Sequence, residues 1–120
     1  MTEMHWKTGT LLEDIITRSP IINDLVQYVS FEQYASDLNV QAQVERHLEV
    51  MGEALNRLFR IDPETLGRLP EARRWVNLRN AIAHLYDDLS QIRIWNSASV
   101  ELSQLHETAV SPLEEFGEPR

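Results

Sequence analysis

Apolar residues return at three- and four-residue steps along almost the whole chain. Leu11, Leu12, Ile15, Ile16, Ile22, Leu25, Val26 and Val29 form one such series, as the buried face of a helix requires. Ser19-Pro20 interrupts it. Either Pro20 kinks one long helix, or Ser19 caps a second with Pro20 at its first position; a kinked or closely rejoined helix is expected. Ser30 with Gln33 three residues on fits a capping box, in which each side chain binds the other residue's backbone N–H. It predicts a short helix over residues 31–38, with Asn39 capping the next. That next helix carries Val44, Leu48, Met51, Leu55 and Leu58 at steps of 4, 3, 4 and 3, the seam of a bundle. Gly52 lies inside it. Glycine there costs about 1 kcal/mol against alanine, which points to close approach of another backbone.

Asp62-Pro63-Glu64 reads as a helix start. The helix it opens is short, because Leu69-Pro70 restarts the chain. Pro70 opens a segment bearing Trp75, Val76, Arg79, Ile82, Ala83 and Tyr86, which ends at Asp87-Asp88. Asp88 with Gln91 begins a last helix, with Ile92, Trp95, Ala98, Leu102 and Leu105 on one face. The tail from Ser111 is acidic and expected to fray. No segment alternates with period two, and no linker divides the chain. The pattern predicts an all-α, up-and-down bundle of four to five helices, a single domain over residues 1–110 with a frayed acidic tail at 111–120.

The length of 120 residues suits one core. Without cysteine, disulfides and thiolate metal sites are excluded. No stretch approaches the roughly 20 apolar residues of a membrane span. The start of the chain lacks the apolar run of a signal peptide, so a cytoplasmic protein is expected. A net charge of −8 argues against nucleic acid only if it is spread evenly. It is not: residues 57–79 hold 6 of the 11 basic residues and 3 of the 19 acidic ones. Those arginines either form a local basic surface or pair with acids of neighbouring helices. His5, His47 and His106 have no partners in sequence and are expected on solvated faces, and Trp6, Trp75 and Trp95 are expected to be packing residues.

One string concentrates chemistry. Residues 79–86 read Arg-Asn-Ala-Ile-Ala-His-Leu-Tyr. At about 100° per residue, Asn80 and His84 share a helix face, whereas Arg79 and His84 diverge by about 140°. They converge only if the helix ends near His84 or if two copies meet across a two-fold axis. Histidine moves a proton near neutral pH, and arginine stabilises charge developing on a phosphoryl group. Asparagine can hold a phosphate or orient the imidazole. RNA carries its own nucleophile, the 2′-hydroxyl, so the set suffices for RNA cleavage without a metal or other cofactor. The plainer alternative is a solvated or capping set, with Arg79 an ion-pair partner of Glu53.

Arg-Asn-x-x-x-His resembles the signature of HEPN-superfamily ribonucleases, and a tyrosine two residues after the histidine resembles HepT-like toxins of prokaryotic toxin–antitoxin pairs. The likeness extends over residues 11–105. Residues 12–15 resemble the family's first helix. Residues 44–54 resemble its central helix, with a close match at Gly52-Glu53-Ala54. Ile92 and Trp95 fit its last. The resemblance implies a HEPN-like homodimer with Arg79, Asn80 and His84 of both chains lining one cleft; Glu53 either orients an arginine there or faces solvent. It implies a metal-independent endoribonuclease acting on tRNA or mRNA. It also implies a partner, a minimal nucleotidyltransferase antitoxin that transfers AMP to Tyr86. The chain departs from the family pattern at Leu85, at Asp87-Asp88 and at the Ser19-Pro20 break. Two alternatives remain at this level: a catalytically inactive helical dimer that engages a nucleotidyltransferase, favoured by the net charge and Asp87-Asp88, and a plain helical subunit with no site.

Overall fold

The computed structural model describes the backbone of residues 2–69, 71–83 and 91–117, and the side chains of residues 7–69, 71–83 and 91–114. Helix α1 spans Thr2–Val26 without interruption, with Pro20 inside it. Pro20 has no N–H to donate to the turn before it. The neighbouring Ser19 hydroxyl turns back and donates to the Ile15 carbonyl, four residues before it, at 2.6 Å. Tyr28 then adopts the left-handed conformation, φ 64°, which stops the helix at a cost of roughly 1–2 kcal/mol for a residue with a Cβ.

Ser30 caps α2, Phe31–Ala35, in the expected reciprocal box. Helix α3, Leu38–Ile61, is capped by Asp37 rather than Asn39, whose place is inside the helix. The reason is the turn before it: the Ser36 and Asp37 N–H groups close on the carbonyls of Gln33 and Tyr34. That leaves the Asp37 carboxylate beside the Val40 N–H at 3.1 Å, at the positive end of the helix dipole. Buried Gln41 donates to the Tyr34 and Ala35 carbonyls, satisfying the open end of α2.

Asp62 caps α4, Pro63–Leu66, as its sequence predicts. The same carboxylate accepts from the hydroxyls of Thr65 at 2.7 Å and Thr8 at 2.8 Å, tying the corner to α1. Helix α5, Ala72–Ala83, follows Glu71, which also sits in the left-handed region at φ 58°. Helix α6, Gln91–Asn96, passes through a π-helical turn, Ser97–Glu101, into α7, Leu102–Gly117. Helical bonding thus carries past Ser111, with Pro112 inside the helix and Leu113 packed on the core.

Helix α1 packs against both α3 and α7, and α3 packs against α5. No strand occurs among the described residues, so the chain is an all-α bundle. Its core takes Val44, Leu48, Met51, Leu55 and Leu58 from the predicted seam. On α6 the expected face is rotated: Ile94 is fully buried, whereas Ile92 is 48% exposed. The wider π turn breaks the 3.6-residue phase, so Ile94, Ala98, Leu102, Leu105 and Ala109 line the core. Among the described residues no helix is long and apolar enough to cross a membrane.

Candidate functional site

The site begins with an absence of bulk. Gly52 faces α5, and a Cβ at position 52 would lie 2.2 Å from the Cβ of Arg79 and 2.8 Å from its Cγ. Real carbon atoms do not approach so closely, so only glycine seats Arg79 at this depth. The carbonyl of Trp75, one turn earlier on α5, would lie 3.1 Å away. The close approach that Gly52 forecasts is therefore an α3–α5 contact centred on the arginine.

Two groups then fix the guanidinium. Its Nη2 meets Oε1 of Glu53, the residue after the glycine, at 3.0 Å. Its Nη1 donates to Oδ1 of Asn80, the next residue on α5, at 2.8 Å. A guanidinium carries five N–H groups, so most remain unengaged. The Nε atom is buried with no partner among the described residues. An unmatched buried donor costs about 1–3 kcal/mol. The Asn80 amide nitrogen, with its oxygen turned to Arg79, is the free end of that side chain and can only donate.

This assembly forms one wall of a hollow of ≈ 260 Å³ between α1 and α3. Leu11 and Asp14 supply the α1 side, and Arg46, Glu49, Val50, Glu53 and Arg57 the α3 side. Arg79 is 28% exposed there. Chemically the site offers an oriented donor set, its charge matched by Glu53 and half-sheltered from water, and such donors suit an anionic oxygen.

The structure thus brings together Arg79, Asn80 and Glu53. His84 and Tyr86, with Leu85, Asp87 and Asp88, lie outside the described residues. The Arg79–Glu53 ion pair, the plainer of the two sequence readings of Arg79, is present and belongs to the same cluster. The other arginines divide. Arg74 pairs with both Glu71 and Glu101, and Arg73 lies 4.5 Å over the Phe59 ring. Arg57 and Arg60 are exposed.

His47 departs from expectation. It is half-buried, and Arg18 Nη1 lies 2.9 Å from its Nδ1, so that nitrogen accepts. Burial first, then the charges of Arg18 and Arg46, push its pKa below the ordinary value. Trp75 and Trp95 are packing residues, as expected: Trp75 is buried, and Trp95 packs edge-on against Phe31 and donates to the Val29 carbonyl. Arg46 was not singled out from sequence. Its spacing of seven residues from Glu53 and eleven from Arg57 puts all three on one face of α3.

Compared with known proteins, residues 15–111 match a family model described as Ribonuclease HepT-like. The matched stretch holds Glu53, Arg79, Asn80, His84 and Tyr86. No curated protein and no solved structure matches the chain.

Proposed function

The chain belongs to the HepT-like ribonuclease family, and on that premise we propose that it is a metal-independent endoribonuclease toxin whose site is completed by a second copy of itself. The observation that carries this is the Arg79 guanidinium, seated on Gly52 and held by Glu53 and Asn80 with donors left over. The Arg74 ion pair at the other end of the helix has no such seat, and its Nε is not a buried donor without a partner.

In the reaction the His84 imidazole removes the proton of an RNA 2′-hydroxyl. The freed oxygen attacks the adjacent phosphorus, a 2′,3′-cyclic phosphate forms, and the 5′-oxygen leaves. The partner protomer's imidazolium supplies the proton that the leaving oxygen takes. Arg79 faces the charge that builds on the phosphoryl oxygens, and the Asn80 amide donates to one of them. Glu53 keeps the guanidinium in place. Two protomers supply both an acid and a base, which answers the 140° divergence of Arg79 and His84 on a single straight helix.

Silencing is the second part of the proposal and rests on the family's tyrosine position. A nucleotidyltransferase partner would transfer AMP from ATP to the Tyr86 phenolic oxygen, releasing pyrophosphate. The added phosphate places bulk and negative charge beside a cleft meant for RNA phosphates. The protein is expected to work in the cytoplasm, where both RNA and ATP are present.

The test is cleavage of total RNA by the purified, unmodified protein, with and without a chelator. Wild type should cut in both, and Arg79→Ala and His84→Ala should not. A folded wild-type dimer that leaves RNA intact would overturn the nuclease. It would favour the second reading, a helical binding module for the nucleotidyltransferase, for which the net charge of −8 speaks.

A further inference from the structure

The Arg79 hollow does not end at Arg79. A second hollow, of ≈ 330 Å³, continues from it toward the C-terminal end of α3 and is walled by Arg57, Arg60 and Lys7. The two hollows share Leu11, Asp14 and Arg57, so they form one trough between α1 and α3. Arg46 stands at one end, Arg60 at the other, and Arg79 with Glu53 between them.

On α3 the residues Arg46, Glu53, Arg57 and Arg60 fall at steps of seven, four and three, so they form one stripe. From Arg46 to Arg60 it runs about 21 Å at 1.5 Å per residue. Arg46, Arg57 and Arg60 are all exposed, and none has an ion pair among the described residues. The trough's charges are five cationic, Lys7 and four arginines, against Asp14, Glu49 and Glu53. The balance is +2 on a chain of net charge −8. Glu53 is already matched by Arg79.

We propose that this arginine stripe is a phosphate track that leads a single strand of RNA along α3 to Arg79. The inference rests on the ribonuclease reading and adds where the substrate lies. Arg57 and Arg60 are neighbours on the helix surface, about 5–6 Å apart at Cβ, a spacing that serves successive phosphates of one strand. Guanidinium groups suit phosphate oxygens because their donors are planar and paired. Contacts of this kind fix the position of the strand without reading its sequence. A duplex would need a broader surface, since recognition of double-stranded RNA spans about 16 base pairs.

The test measures binding of a short, single-stranded 2′-O-methyl RNA, which lacks the nucleophile and cannot be cut, as a function of salt. Cleavage of unmodified RNA is followed in parallel. Each phosphate contact to a single strand contributes about −0.7 to the slope of log K against log salt. The double variant Arg57→Gln/Arg60→Gln should therefore flatten the slope by about 1.4 and weaken binding at low salt about tenfold or more. Arg93→Gln, on α6 and outside the trough, should leave it unchanged. Both variants change exposed side chains, and thermal melting confirms that they fold. An unchanged slope in the double variant overturns the track, even if wild type cuts RNA. A flattened slope in a protein that cuts nothing supports the track and removes the nuclease. An unchanged slope with lost binding of a co-expressed nucleotidyltransferase makes the stripe a protein-docking face and overturns the proposal.

Discussion

The two ends of α5 each carry an arginine paired with acid, and they do different things. Near its start, Arg74 is clasped by Glu71 and Glu101. Two carboxylates on one guanidinium leave a net negative cluster, and the pair joins α5 to the π turn. Toward its end, Arg79 has one carboxylate and one neutral amide, so its charge is matched but not reversed. Arg74 is 41% exposed and Arg79 28%. Only Arg79 sits where a neighbouring helix has given up its Cβ. An ion pair alone therefore does not mark a candidate site; the glycine seat, the buried Nε without a partner and the adjoining hollow do.

The sharpest way to break this contrast is to remove each arginine in turn. Arg79→Ala should lower the rate of RNA cleavage about 10²–10³-fold, as loss of an oriented donor to a developing anion does. Arg74→Ala should leave the rate near wild type, with a stability loss under about 1 kcal/mol. Equal effects on the rate would erase the distinction.

Filling the seat comes next. Gly52→Ala puts a carbon where Arg79 already has one, and overpacking of that kind costs about 1–3 kcal/mol. Urea unfolding should register that loss, and cleavage should fall with it in protein that is still folded. At the other end, Glu71→Ala removes one of two acids from an exposed arginine and should cost less than about 1 kcal/mol. If Gly52→Ala is as mild as Glu71→Ala, Arg79 does not depend on the glycine seat.

The smallest effect concerns pH. His47 lies on α3 one residue from Arg46, and its pKa is depressed by burial, Arg18 and Arg46. As pH falls below its ordinary value of 6.5, the unfolded chain takes up this proton first. Stability then declines until pH passes below the folded-state value. Above 6.5 the imidazole is neutral in both states and the contribution is fully present. His47→Gln should flatten that part of a stability-versus-pH curve. An unaltered curve would show that the Arg18 contact does not depend on a neutral ring.

Much of the fold was legible because its signals are local. The Ser30–Gln33 box, the Asp62-Pro63 start and the α3 seam each depend on residues within a few positions of one another. Gly52 announced a close contact by its cost alone. The rest depends on tertiary arrangement. Asp37 and Asn39 are both able to cap, and the turn closed on Gln33 and Tyr34 chose between them. A fixed helical period placed Ile92 inward, and the π turn at Ser97–Glu101 brought Ile94 there instead. In the site, Arg79 and Asn80 were marked by their motif and Glu53 by its place beside the glycine. What sequence could not show was that Arg74, three residues after Glu71, also meets Glu101 across the fold. Arg46, distant in sequence from the basic run, joins Arg57 and Arg60 only on the helix surface.

One measurement reaches the central claim directly: the arginine side-chain ¹⁵N–¹H spectrum of the folded protein, titrated with single-stranded 2′-O-methyl RNA. The Arg79 signals should move with the added RNA while those of Arg74 stay in place. Arg79 signals that do not respond, or Arg74 signals that shift as far, would contradict the assignment of Arg79 as the phosphate-facing arginine of this ribonuclease fold.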